Sequence, residues 1–170
     1  MNHEQTIEKN EKFILSPRLE KSYKILDEEI KYKTQIDNPN RIIFGLKIKD
    51  FPFIMHFSLT ATQNDKILQL NANLPFSVER KRYNDLCDFT VKENYGSVYG
   101  AYWLKENENS INCGYTIPLI EKDICVENII FAIDVIVYFI KKATPFFVPS
   151  FDNKQNNMPI VDTTNSNLKS

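Results

Sequence analysis

The run Ile129-Ile130-Phe131-Ala132-Ile133-Asp134-Val135-Ile136-Val137-Tyr138-Phe139-Ile140 is the longest apolar stretch of the chain, and one charge, Asp134, interrupts it. It lies within Asp123 to Lys142. Asp123 is a suitable N-cap and Glu127 an early acid, and Lys141-Lys142 close the segment before Pro145. Acid early and base late complement a helix dipole, so the segment reads as a helix. At a hundred degrees per residue, Val126, Ile129, Ile130, Ile133, Ile136, Val137 and Ile140 share one face. Phe131, Val135, Tyr138 and Phe139 share the opposite one, and Glu127, Asp134 and Lys141 form a polar seam between them. A helix apolar on nearly all sides is buried all round. One face therefore expects a sheet. The other expects helix A, the segment Phe146-Phe147-Val148-Pro149, or a second chain. The run is too short for a bilayer, which needs about 20 apolar residues.

Working outward, the remaining elements are ones that cover this helix. Ser16 and Pro17 start helix A as N-cap and first helical residue. Its stripe is Leu19, Tyr23, Leu26 and Ile30, and it fades before the turn Asp37-Asn38-Pro39-Asn40. Three alternating segments follow: Arg41 to Lys49, Phe53 to Thr62 and Ile67 to Phe76. Each places apolar residues on one face and polar ones on the other, as antiparallel strands with one covered face do. Helix B spans Val78 to Asn94, capped by Ser77 and ended at Tyr95-Gly96, where glycine supplies a left-handed position. Two more strands, Ser97 to Lys105 and Ser110 to Leu119, lead into the long helix.

The order α-β-β-β-α-β-β-α predicts an α+β fold, a five-stranded antiparallel sheet with helices packed mainly on one face. The 170 residues divide into a loose lead (1–15), a single domain (16–149) and a polar, disordered tail (150–170). The net charge of −1 argues against nucleic-acid or anionic-membrane binding through bulk charge. Cys87, Cys113 and Cys125 form no CxxC pair, and an odd count argues against a disulfide framework. With no basic segment leading into an apolar stretch at the N-terminus, the expected location is cytoplasmic.

No catalytic constellation is visible, and the expectation is a non-enzyme without metal or cofactor. His3 and His56 are the only histidines, too few for a zinc site at any spacing here. A His56–Cys113 pair is conceivable as a nucleophile and base, but alternation sends His56 to the wetter face. Four glycines and no GxGxxG, P-loop or HExxH motif leave no phosphate cradle. Arg80-Lys81-Arg82 is a compact basic cluster at a helix start, best read as a solvated face. Tyr95, Tyr99, Tyr102 and Trp103 group around one strand, with Tyr99 and Trp103 on one of its faces. Aromatic residues at a sheet surface anchor partners. The candidate partner-binding residues are therefore Phe131, Val135, Tyr138, Phe139, Tyr99 and Trp103.

The pattern resembles the YbjN-like family and its structural relatives, the type III secretion chaperones. The likeness lies in a leading helix before Arg41-Ile42-Ile43-Phe44-Gly45-Leu46, and in Phe53-Ile54-Met55-His56-Phe57-Ser58-Leu59 meeting a strand that ends Asn73-Leu74-Pro75-Phe76. It continues in a mid helix before Gly96-Ser97-Val98-Tyr99-Gly100, and in Tyr115-Thr116-Ile117-Pro118-Leu119 leading to a long closing helix. It covers residues 17 to 143. The resemblance implies a protein-binding regulator, adaptor or chaperone-like module acting as a homodimer, with no catalytic residues. The chain is nearly neutral where the chaperones tend to be acidic. A second class of function is a small-molecule sensor or carrier with an apolar pocket between sheet and helices.

Overall fold

The computed structural model describes residues 13–49, 51, 54–62, 65–74, 76–77, 82–105, 110–119, 123–144 and 148–149. The elements are α1 (Pro17–Lys24), continued by a π-helical turn (Ile25–Glu29), β1 (Thr34–Asn38), β2 (Arg41–Lys47), β3 (Ile54–Thr62) and β4 (Ile67–Asn73). They go on with β5 (Phe76–Ser77), α2 (Tyr83–Gly96), β6 (Ala101–Lys105), β7 (Ser110–Pro118), α3 (Val126–Ala143) and β8 (Val148–Pro149). The main sheet is antiparallel, with six strands in the order β1-β2-β3-β4-β7-β6, and β5 and β8 pair separately.

The register aligns every alternating strand. Phe44 faces Phe57, Phe57 faces Ala72, Ala72 faces Cys113 and Cys113 faces Tyr102. These residues are buried, and so are their same-face neighbours Ile42, Leu46, Met55, Leu59, Leu68, Leu70 and Ile117. The other face carries Ser58, Thr60, Gln69, Asn71, Asn73 and Thr116. All three helices lie on the apolar face: α1 over β2 and β3, α3 over β7 and β4, and α2 beside β6.

The sixth strand is a departure from expectation. Helix A does not run to Asp37. Its α-helical part ends at Lys24, and the wider turn that follows bonds Ile30 N–H to the Ile25 carbonyl. That turn buries both Ile25 and Leu26, and Lys31 then takes a left-handed φ of 68° that reverses the chain. Thr34-Gln35-Ile36-Asp37-Asn38 pairs with β2 as an edge strand. A five-residue segment with one apolar side chain carries no visible alternation, and its partner strand supplies the bonds that define it.

Helix ends also differ. Ser77 pairs with Val148 in the small sheet; the residue before α2 is Arg82, and Val78 to Lys81 lie outside the described residues. α2 includes Gly96, and no glycine has positive φ; the helix stops because Ser97 is extended. The N-cap of α3 is Cys125, whose N–H and thiol both donate to Asn128 Oδ1. Asp123 accepts from Ile124 N–H and holds Lys21 at 2.6 Å, tying α1 to the approach of α3. The far end of α1 is fixed through Asp65, which accepts from the Ser16 hydroxyl and the Arg18 N–H. Glu20 and Lys24 pair across one turn of α1 at 2.9 Å. The lead before Phe13 and the tail after Pro149 lie outside the described residues.

Candidate functional site

The inner face of α3 is Ile129, Ala132, Ile133, Ile136, Phe139, Ile140 and Ala143. The observed phase is turned slightly from the expected one. Ile130, Val126 and Val137 sit at the margin, and Phe139 points inward at 7% exposure. Phe139 is therefore mainly a core residue, and only its edge lines the groove described below. The reason is Tyr102. Its ring lies 4.7 Å from that of Phe139, and its hydroxyl donates to the Phe139 carbonyl at 2.6 Å. Phe89 of α2 packs on the same tyrosine at 5.5 Å, so Tyr102 joins β6, α2 and α3 at one point. Burial there pushes its phenol far above the ordinary tyrosine range.

The outer face of α3 is different. Phe131 is 45% exposed, Tyr138 is 57% exposed and Val135 is half-buried. α1 packs on β2 and β3, and the rings that meet Phe131 are Tyr99 and Tyr115, both edge-on. The segment Phe146-Phe147, the other expected cover, lies outside the described residues. Between α3 and the end of α2 runs a groove of about 650 Å³, lined by Val98, Tyr99, Val135, Tyr138 and the stems of Lys92, Glu93 and Lys142. Lys142 bridges the two helices by pairing with Glu93, and its ammonium stands 5.5 Å over the Tyr138 ring. Asp134 is exposed, as the polar seam requires.

Tyr99 and Trp103 line one depression, together with Gly114 and Thr116, although they come from different segments. Tyr99 lies before β6, in the bend Ser97–Gly100, and leans toward α3. Trp103 is on β6 itself and projects from the uncovered side of the sheet. Sequence reasoning extended the strand back to Ser97 and so placed them together. It also missed Val91 and Val98 and named Tyr95 only within the aromatic group; all three are strongly exposed. The signal was present at Val91 and Tyr95, which are i,i+4 neighbours off the Leu86/Thr90 stripe. Of nine large hydrophobic residues exposed among the described ones, only Phe13 and Ile14 lie away from this end of the molecule.

The sequence also gave no hint of Asn94. Its carboxamide accepts from Tyr102 N–H at 2.8 Å and donates to the Tyr102 carbonyl at 2.9 Å. The Ser97 hydroxyl accepts from Gly100 N–H at 3.2 Å. The free backbone groups of Tyr102 in edge strand β6, and the N–H of Gly100 just before it, are thus closed by side chains.

The conceivable His56–Cys113 pair is not formed. Cys113 is on the helix face and His56 on the other, in register with Gly45 and Asn73. Burial raises the Cys113 thiol far above its usual range, which opposes a thiolate. Burial lowers the His56 imidazole, whose Nδ1 is enclosed without a partner. Among the described residues no cluster of His, Cys, Asp and Glu has a metal-binding arrangement, and no helix is long and apolar enough to cross a membrane.

An antiparallel six-stranded sheet with three helices on one face, the last one long and apolar, is the YbjN-like, type III secretion chaperone-like fold. Two solved structures carry the likeness. The E. coli protein YbjN, described as a candidate transcription regulator, superposes with a TM-score of 0.56 at 12% identity, over 80% of this chain and 99% of that one. A chain of the ExsC–ExsE complex superposes at 0.54 and 10% identity, over 77% of this chain and 97% of that one. Neither neighbour is presented as an enzyme. No family model matches the sequence, and no curated protein matches it.

Proposed function

We propose that this chain is a non-enzymatic protein-binding module, a regulator, adaptor or chaperone-like protein, and that it works as a homodimer through the outer face of α3. The observation that carries this reading is the exposed apolar surface of Tyr99, Phe131, Val135 and Tyr138, contiguous with Val98. Monomeric surfaces rarely keep such a surface without a client. The charges flanking it favour a second copy. An isologous pairing sets each residue against its mirror across a two-fold axis. An axis at Tyr138 places Asp134 of one copy beside Lys142 of the other, since both lie four residues from it. The fold neighbours support the coarser part of the reading, because one of them was solved as a complex of two named proteins.

The test is the mass in solution of the intact chain and of Phe131→Asp and Tyr138→Asp, by light scattering after size exclusion. A dimer for the parent and monomers for both variants, with unchanged circular dichroism, is the expected result. A parent that stays monomeric at high concentration sinks the homodimer.

A further inference from the structure

The two charges that flank the outer face of α3 are prepared differently. Asp134 is exposed and forms no hydrogen bond or ion pair among the described residues. Lys142, about two turns further on, is already held. Its ammonium pairs with Glu93 of α2 and stands over the Tyr138 ring. The Glu93 carboxylate and the Tyr138 phenol raise its pKa, which keeps the charge in place. Glu93 is itself fixed from behind. The next residue, Asn94, makes two bonds to the backbone of Tyr102 and pins the last turn of α2 to β6. Glu93 reaches α3 instead, and its side chain is only 21% exposed.

A surface lysine has wide rotamer freedom, and an ion pair between two free side chains gains little. Lys142 has given up that freedom before any partner arrives, so its ordering does not weigh on association. An ammonium has three donors, and Glu93 leaves room for a second carboxylate. The site is therefore short of one acid, at a fixed place beside the apolar surface of Phe131, Val135 and Tyr138. The chain supplies that acid itself. With a two-fold axis at Tyr138, Asp134 of a second copy arrives at Lys142, and the same contact forms again on the other side of the axis. Charges then alternate in sign through Glu93, Lys142 and Asp134 of the other copy.

We propose that Lys142 is the residue by which the α3 face recognises a second copy of this chain, with Glu93 positioning it and Asp134 of the other copy as its target. The inference rests on the homodimer reading and sharpens it to one antiparallel register. A helix that brings apolar side chains but no acid to that point gains nothing from Lys142. One that brings a lysine there is repelled.

The test is the dimer dissociation constant of the intact chain, by sedimentation equilibrium at low salt. Asp134→Lys alone and Lys142→Asp alone each set like charges at both crossings and should weaken the dimer about tenfold or more. Mixed in equal amounts, the two variants form heterodimers with opposite charges at both crossings. These should outnumber either homodimer in native mass spectrometry, and the double variant should recover self-association in one chain. Lys142→Arg, which keeps the charge, should stay near the parent. Glu93→Gln should weaken the parent dimer about threefold. In a Lys142→Gln background it should weaken nothing further, because no ammonium is left to position; a merely structural role would give the same loss in both backgrounds. Single swaps that dimerise as tightly as the parent, a mixture without excess heterodimer, or a Glu93→Gln chain that dimerises more tightly overturns the proposal. If the parent is a dimer that Phe131→Asp splits and the swaps leave alone, only this recognition falls. A monomeric parent removes the α3 dimer and this inference with it.

Discussion

The two sides of α3 are nearly equal in hydrophobicity and opposite in fate. Ile129, Ile133, Ile136 and Ile140 are sealed against β7 and β4, while Phe131 and Tyr138 stand in solvent one half-turn away. Apolarity alone does not predict burial. What decides it is whether another element meets that face with a matching pattern. The sheet offers Leu70, Ala72, Cys113 and Ile117 in register, and the inner face has its client. Among the described residues, the outer face meets two edge-on tyrosines and a groove.

The sharpest way to break this comparison is on the inner side. Ile136→Ala leaves a hole at a fully packed site and should cost about 2–5 kcal/mol in urea unfolding. A loss under 1 kcal/mol would mean that α3 is not seated as described. Tyr102→Phe comes next. It keeps the ring packing and removes the bond to the Phe139 carbonyl, so about 1–3 kcal/mol is expected from the same measurement. At His56, burial disfavours the protonated ring, so the folded state binds its proton less well than the unfolded chain. Stability from this group is full above the ordinary histidine range and falls as pH drops through it toward the lowered folded value. Urea midpoints between pH 7.5 and pH 5 should decline less steeply in His56→Gln than in the parent. The smallest effect belongs to the outer face. Phe131→Asp gives up two edge-on ring contacts and should cost the monomer only about 1 kcal/mol. A large loss would show that this side is structural after all.

Much of this contrast was legible in the sequence, for a definite reason. Strands such as Phe53 to Thr62 alternate without error, and one-residue slips would expose their whole apolar set. The two-sided character of α3 followed from its period. The exchange of Phe139 for the expected outer face did not, because it depends on a tyrosine hydroxyl from β6 reaching its carbonyl. β1 was hidden because its single apolar residue, Ile36, defines no pattern, and because the π-helical turn ended helix A early. At the candidate surface, Phe131, Val135 and Tyr138 were visible from helical spacing. The bend that carries Tyr99 ahead of β6 was not, since Tyr99 and Trp103 are both consistent with one longer strand. The depression at Gly114 needs three strands in register, and no local reading assembles it.

Asn94 carries a consequence for the life of the chain in a crowded solution. An unpaired strand edge is a template for the same edge of another molecule, and long exposed edges seed fibrils. One carboxamide, reaching from the last turn of a helix, occupies both backbone groups at the middle of β6. Asn94→Ala is a mild change in helix propensity, yet it uncovers a two-bond docking point beside an apolar surface. The variant should aggregate faster than the parent at equal concentration, followed by light scattering and thioflavin fluorescence, and an unchanged rate would show that the edge is guarded by other means. In this fold one amide from a helix end stands between the middle of an open edge and the same edge of another molecule.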